Sequence, residues 1–404
     1  MRNKFIYIIL FSLLGSCVTN TKEATNDNVV ERQIDTLPGA APYLTKDHKN
    51  NLVLSWARTI NDSVSEFCYT ISNDGGQNFG KITSIPGTQN IQPHSENLPK
   101  LIFKPSGAII ALWGESNGSP KNKYSGMVFY CQSFNGGATW TTPRTLVTDT
   151  TSFDQRYFDV ALLPSGEVAV IWLDNRKSSN NEGSALFFAT TEGNKGFVNE
   201  KRIGEGCCQC CRTDLFTDSK GNLHVLYRGI IKDSIRDMLH SVSSDGGRNF
   251  SNPKLVSNDN WVIRGCPHTG PSMTENSEGL HFAWFTGAAD KGCFYTQSVD
   301  KGNSFKTRQR ISISGSHPQI TSAPDGTLLI AWDEAIVHDD KPYRRIAIQQ
   351  RKQNGEALEQ KFITTDTSSS SYPVILSLDN ISTIVAYTKQ HSDRSYIMLQ
   401  RVMR

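Results

Sequence analysis

The sequence predicts an all-β fold, a β-propeller of four-stranded antiparallel blades, from three observations. One unit recurs: a short apolar strand, a turn such as PSG or PDG, then an apolar strand ending in an aromatic. The closing aromatics, Trp56, Trp113, Trp172, Tyr227, Trp284, Trp332 and Tyr387, stand 48 to 59 residues apart. That is room for four strands each time, and such periods mean propellers or solenoids. A Gly-rich turn motif also repeats inside these units, and no helical periodicity of comparable length competes.

The chain opens with MRNKFIYIILFSLLGSC, in which Arg2 and Lys4 precede an apolar run and small residues precede Cys17. This reads as an export signal, too short to span a bilayer as a mature helix. LGSC resembles the lipobox of bacterial lipoproteins. That resemblance implies cleavage after residue 16, a lipid on Cys17 and a place in the bacterial cell envelope. The absence of an acidic residue directly after Cys17 favours, by the same resemblance, the outer membrane. Residues 17–27 are polar and unpatterned, a flexible tether, and 28–404 form one propeller domain. Formal net charge is +3, close to neutral once Arg2 and Lys4 are removed, so a nucleic-acid partner is not expected. A monomer is expected, touching the membrane through its lipid alone.

Within the units the turn motif reads SNDGGQNF (72–79), SFNGGATW (133–140), SSDGGRNF (243–250) and SVDKGNSF (298–305). Asp or Asn bonds its own backbone, Gly supplies positive φ, and the closing aromatic packs under the blade. These turns resemble the Asp box (BNR repeat) of sialidase-like β-propellers, a likeness that covers nearly the whole mature chain and implies fold more than activity. Counting aromatic-ended strands gives seven blades, with the six of true sialidases as the alternative. The last unit has room for three strands, so the segment 28–37 is expected to supply its outer one.

In such blades the loop before the inner strand and the loop after the second strand share one face. Residues expected at this channel mouth are His94, Arg156, Asp159, the stretch EGCCQCCRTD, Cys266, His268 and His317, with Arg58, Glu115, Asp174, Arg176, Arg228, Arg236 and Glu334 from the second set of loops. Converging Cys, His, Arg and carboxylates mark a ligand site. The dull reading is that such residues merely solvate the mouth. Cys68, Cys131 and Cys293 fall on third strands as buried thiols or staples.

Cys207, Cys208, Cys210 and Cys211 arrive from the fourth unit, and Cys266 with His268 from the fifth. In an oxidising compartment Cys208, Cys210 or Cys211 could bridge Cys266, contributing about 2–4 kcal/mol. Alternatively, thiolates with imidazole from His268, His94 or His317 bind a soft metal, copper(I) or zinc. Eight cysteines after Cys17 allow 105 pairings, and sequence does not choose. The combination CQCCRT, YR, IRD and GCP…TGP resembles a less characterised exported group of sialidase-like propellers, typically with Cys208, Cys210, Cys211, Cys266, Arg212, Arg228 and Arg236.

Sialidases clamp a carboxylate with three arginines and use a Tyr, a Glu and an Asp. The resemblance implies a first arginine in an Arg-Ile-Pro segment, but LPGAAPYL stands there. Arg156, Arg212, Arg228, Arg236 and Arg264 remain as anion ligands, and Glu334, Asp174 or Tyr372 as catalytic candidates. Three functions follow: a binding lipoprotein whose mouth holds a small molecule, glycan or metal; a sialidase-like exo-glycosidase; and a scaffold for protein partners.

Overall fold

The computed structural model describes residues 31–118, 123–177 and 182–404; Cys17, the export signal and the tether lie outside these. The described residues form strands and turns with no helix. Five four-stranded antiparallel sheets follow in chain order. They are Gly39–Lys46, Leu52–Asn61, Val64–Ser72 and Thr83–Ser84 in the first; Lys100–Phe103, Ile109–Ser116, Gly126–Ser133 and Arg144–Thr145 in the second; and Gln155–Leu162, Val168–Asp174, Ser184–Thr191 and Phe197–Cys207 in the third. The fourth holds Asp214–Thr217, Leu223–Arg228, Met238–Ser243 and Lys254–Leu255, and the fifth Ser272–Asn276, Gly279–Thr286, Gly292–Ser298 and Gln309–Ser312.

The remaining strands correct the expected blade count. They form one eight-stranded sheet rather than separate blades, so neither seven nor six isolated blades is found. Its halves, Gly315–Ser322, Leu328–His338, Lys341–Arg351 and Ala357–Phe362, then Ser369–Ser377, Ser382–His391, Arg394–Met403 and Arg32–Gln33, join through one parallel pair, Arg344 to Ser369. The cause is strand length. Leu328–His338 and Lys341–Arg351 are eleven residues each, so their hairpin reaches the neighbouring inner strand. The segment expected to supply an outer strand does pair there: Arg32 sits opposite Leu399 and Gln33 opposite Met398, so the two ends of the chain share a sheet.

The recurring aromatics are the core. Trp56, Trp113, Trp172, Trp284, Trp332 and Tyr387 are fully buried, each contributing on the order of 2–3 kcal/mol by burial. Several indoles are capped by a carboxylate: Trp113 Nε1 donates to Glu115 at 2.8 Å, Trp172 to Asp174 at 3.0 Å, Trp332 to Glu334 at 3.2 Å and Trp284 to Asp259 at 2.7 Å. A buried indole N–H needs such an acceptor.

The four motif turns share one bonding pattern. In the third, the Asn249 backbone N–H donates to Asp245 Oδ1 at 2.8 Å, and the Gly247 N–H to Ser243 Oγ at 2.9 Å. Gly247 has φ 85°, and a Cβ there would meet the Phe188 ring at 2.2 Å, so no other residue fits. Phe79, Trp140, Phe250 and Phe305 pack against the core below.

Inner strands from all five sheets and both halves of the eight-stranded sheet line a central cavity of about 150 Å³. Lys100 Nζ donates to Asp159 there at 2.6 Å. Burial, with the charge of Asp159 adding, pushes Asp214 well above the usual carboxylate range.

Candidate functional site

A concavity beside the axis follows from how the chain passes from one sheet to the next. Each inner strand is preceded by a segment crossing from rim to axis, and four such segments meet over the second to fifth sheets. The outer strand Phe197–Cys207 runs straight into Cys208. That crossing is fixed as the Cys208 N–H donates to Arg228 O at 2.8 Å and Ile230 N–H to Gly206 O at 2.6 Å.

The resulting cavity holds about 560 Å³. Its wall includes His94, Asn97, Arg156, Tyr157, Cys210 and His268, with Cys266, Asp154, Gln92, Gln209 and Tyr124 completing it. The expected meeting of CCQCC with CPH is therefore found, at Cys210, Cys266 and His268. Asn97, Asp154, Tyr157 and Gln209 were not singled out from the sequence. The first three sit in the mouth segments IQPHSENLP and FDQRYFD, where the more conspicuous His94, Arg156 and Asp159 drew the reading.

Several wall residues are fixed by hydrogen bonds and ring contacts. The Glu96 backbone N–H donates to His94 Nδ1 at 3.1 Å, so the neutral ring carries its proton on Nε2. Burial lowers the pKa of His94, keeping it neutral. Its ring lies 5.7 Å from Tyr157 and 5.7 Å from His268. The Arg156 guanidinium sits over the Tyr157 ring at 5.6 Å and donates to Asp154 at 2.7 Å. Tyr157 has φ 54°, a left-handed backbone for a bulky residue, held by its N–H donating to Asn97 Oδ1 at 2.8 Å. Burial raises its phenol. Asp154, the sole carboxylate among the described residues of the wall, is occupied on both oxygens, accepting Gly126 N–H at 3.0 Å as well as Arg156.

Other expected ligands are committed to the protein itself. Arg212 Nη1 donates to Glu96 at 2.6 Å and Nη2 to the carbonyls of Gly270 and Pro318 at 3.2 and 3.0 Å. Arg228 donates to the carbonyls of Arg236, Thr269 and Phe285. These two cannot offer a free fork to a carboxylate as the anion-ligand expectation required, because buried guanidinia take the nearest acceptors. Asp159 likewise pairs with Lys100 at the axis rather than lining the large cavity. Arg236 is buried, donates to Glu182 at 2.9 Å, and leaves Nε and Nη1 without an acceptor.

Among the catalytic candidates, Asp174 and Glu334 cap tryptophans; Asp174 also accepts Ser152 Oγ at 2.8 Å and Arg176 Nη2 at 2.9 Å. Both accept an indole N–H from two residues back on their own strands. Tyr372 stacks on His317 with ring centroids 3.9 Å apart, and burial pushes its phenol up to about 12. His317 Nδ1 donates to Asp333 at 2.7 Å. Burial alone would raise Asp333, but His317 and Arg344 outweigh it and hold the carboxyl below its ordinary value. This group stands apart from the large cavity's wall.

All eight cysteines among the described residues are free thiols. Cys208, Cys210 and Cys211 are 3, 2 and 1% exposed, and Cys266 is exposed. The sulfurs of Cys208, Cys210 and Cys211 lie within 4.8 Å of one another, with Cys208 and Cys210 at 3.5 Å. Hydrogen bonding from Cys210 and Cys211 holds the Cys208 thiol far down against the opposing effect of burial, and Arg228 and Arg236 add to it; Cys210 is pushed up in turn.

No family model matches the sequence, and no curated protein does. Solved structures do share the architecture. The polysaccharide lyase Uly1 is 12% identical, with a TM-score of 0.56 over 91% of this chain and 90% of that one. A Dyadobacter fermentans protein of unknown function is 13% identical, with a TM-score of 0.50 over 93% and 99%. The intramolecular trans-sialidase from Ruminococcus gnavus, in complex with oseltamivir carboxylate, is 10% identical, with a TM-score of 0.50 over 90% and 94%. The chain thus has a sialidase-like β-propeller fold.

Proposed function

We propose that the cavity at the channel mouth recognises a sugar unit of an acidic glycan. The observation that carries this reading is Arg156 on the wall of a 560 Å³ cavity, beside the His94 Nε2–H and the amides of Gln92, Asn97 and Gln209. A carboxylate is the acceptor a guanidinium favours, and amides with an aromatic face suit hydroxyls and sugar rings. The sialidase and lyase names of the structural neighbours agree with a glycan ligand. Two-carboxylate hydrolysis is disfavoured, since such hydrolysis takes a pair of carboxyl groups across the scissile bond and, among the described residues, Asp154, already paired, is the wall's one carboxylate.

The test is calorimetric titration of the full chain with a uronate-containing oligosaccharide and its neutral counterpart. The acidic sugar binds and the neutral one does not. Arg156→Gln weakens binding about 10- to 100-fold, the worth of one charged hydrogen-bonding group. Equal affinity for both sugars, or none for either, overturns the reading. The amino-terminal signal and Cys17, outside the described residues, support a lipid tether to the bacterial cell envelope, with this mouth as the ligand-binding face.

A further inference from the structure

We propose that Cys208, Cys210 and Cys211 form a three-thiolate site for one copper(I) ion in the core behind the cavity wall at Cys210, independent of the glycan reading. Geometry is the first argument. A metal about 2.3 Å from three coplanar sulfurs would hold them about 4 Å apart. The three sulfurs here lie within 4.8 Å of one another, the nearest pair at 3.5 Å, well beyond the ~2.05 Å of a disulfide. The donor set is wholly sulfur, which selects a soft cation. Zinc in structural sites takes four ligands, and among the described residues no fourth Cys, His, Asp or Glu joins the group. His94 is a poor fourth ligand, because Nδ1 accepts the Glu96 N–H and Nε2 carries the proton.

Charge is the second, independent argument. Three buried thiolates need compensation, and two buried guanidinia stand by. Arg228 donates only to carbonyls, and the nearby Asp237, its carboxyl pushed up chiefly by burial, accepts the Asn260 and Trp261 N–H groups rather than the guanidinium. Arg236 keeps Nε and Nη1 buried and unpartnered, and its single ion pair is to a half-exposed Glu182. The two guanidinia offset part of the charge of three thiolates, and the all-sulfur, three-ligand donor set rather than the charge count favours copper(I). The site also has an access route, since Cys210 lines the cavity together with the exposed Cys266 and with His268. Binding changes no oxidation state: copper is supplied as copper(I), and each protonated thiol releases its proton to solvent.

The experiment is anaerobic titration of the full chain with copper(I) against a chromogenic chelator, with X-ray absorption on the loaded protein. One copper per chain with three sulfur neighbours is expected. Cys210→Ser and Cys211→Ser abolish it, Cys131→Ser and Cys293→Ser leave it unchanged, and Arg236→Gln, with every thiol in place, weakens it about tenfold. Arg156→Gln leaves copper affinity intact, which separates failure of this site from failure of the sugar site. Failure to compete with the chelator, copper retained by Cys210→Ser, preference for zinc, or a Cys208–Cys210 disulfide persisting in the exported protein each overturn the proposal.

Discussion

Arg212 and Glu96, 116 residues apart, form a buried ion pair at 2.6 Å that ties the second unit's mouth segment to the fourth's. The same carboxylate accepts the Gly270 N–H at 2.6 Å, and the same guanidinium reaches Pro318 O. Four sheets are thereby joined at the axis. Removing one partner strands a charge, so Arg212→Met should cost about 3–5 kcal/mol in denaturant unfolding, and Glu96→Gln a similar amount. The double variant should recover part of the loss; full additivity would show that the pair is not coupled.

Asp174→Ala tests the tryptophan caps. It removes the acceptor of the Trp172 indole and the partner of Arg176, so unfolding free energy should fall by about 2–4 kcal/mol. Sugar affinity should be preserved in the folded protein, as a catalytic or ligand-binding role for Asp174 would not allow.

The motif turns set the acid limit. Hydrogen bonds from the Asn78 backbone and side chain and from Ser72 bring Asp74 from 3.8 to about 2, those from Ser304 and Ser298 bring Asp300 to about 2, and Asp245 is held lower still. Because the folded values are depressed, this stabilisation is present above pH ~4 and is lost as pH falls toward 2. Melting temperature against pH should therefore drop over that window, and Asp245→Asn should flatten the drop.

Thiol reactivity follows burial. Cys68 and Cys131 are pushed up to about 12, chiefly by burial, and burial raises Cys293 as well, while Cys266 is exposed. A thiol reagent at neutral pH should label Cys266 in a single fast phase, which Cys266→Ser removes. Fast labelling of Cys293 would contradict the packing.

Lipid attachment is tested at Cys17. Metabolic labelling with a fatty acid should mark the chain, and Cys17→Ser should release it from the membrane fraction; unlabelled, soluble wild-type protein would end that proposal.

The sequence by itself determined the strand pattern, because an aromatic at the end of every second apolar strand and a Gly-rich turn led by Ser and an Asp or Asn are local signals: each residue's role is decided by neighbours within a few positions. It also brought the Cys210 and Cys266 segments to one mouth, since repeat topology orders the crossing segments around the ring. Tertiary structure alone decided which of those residues are available. Arg212, Arg228, Asp174 and Glu334 read as a binding ring in one dimension, yet carbonyls from distant segments claim the two buried arginines, and the indole two residues back on the same strand claims each carboxylate. It also decided the sheet count, because one long hairpin reaches its neighbour at Ser369. Hydrogen-bond capacity is set by what surrounds a group in space, and that is fixed only when the chain has closed on itself.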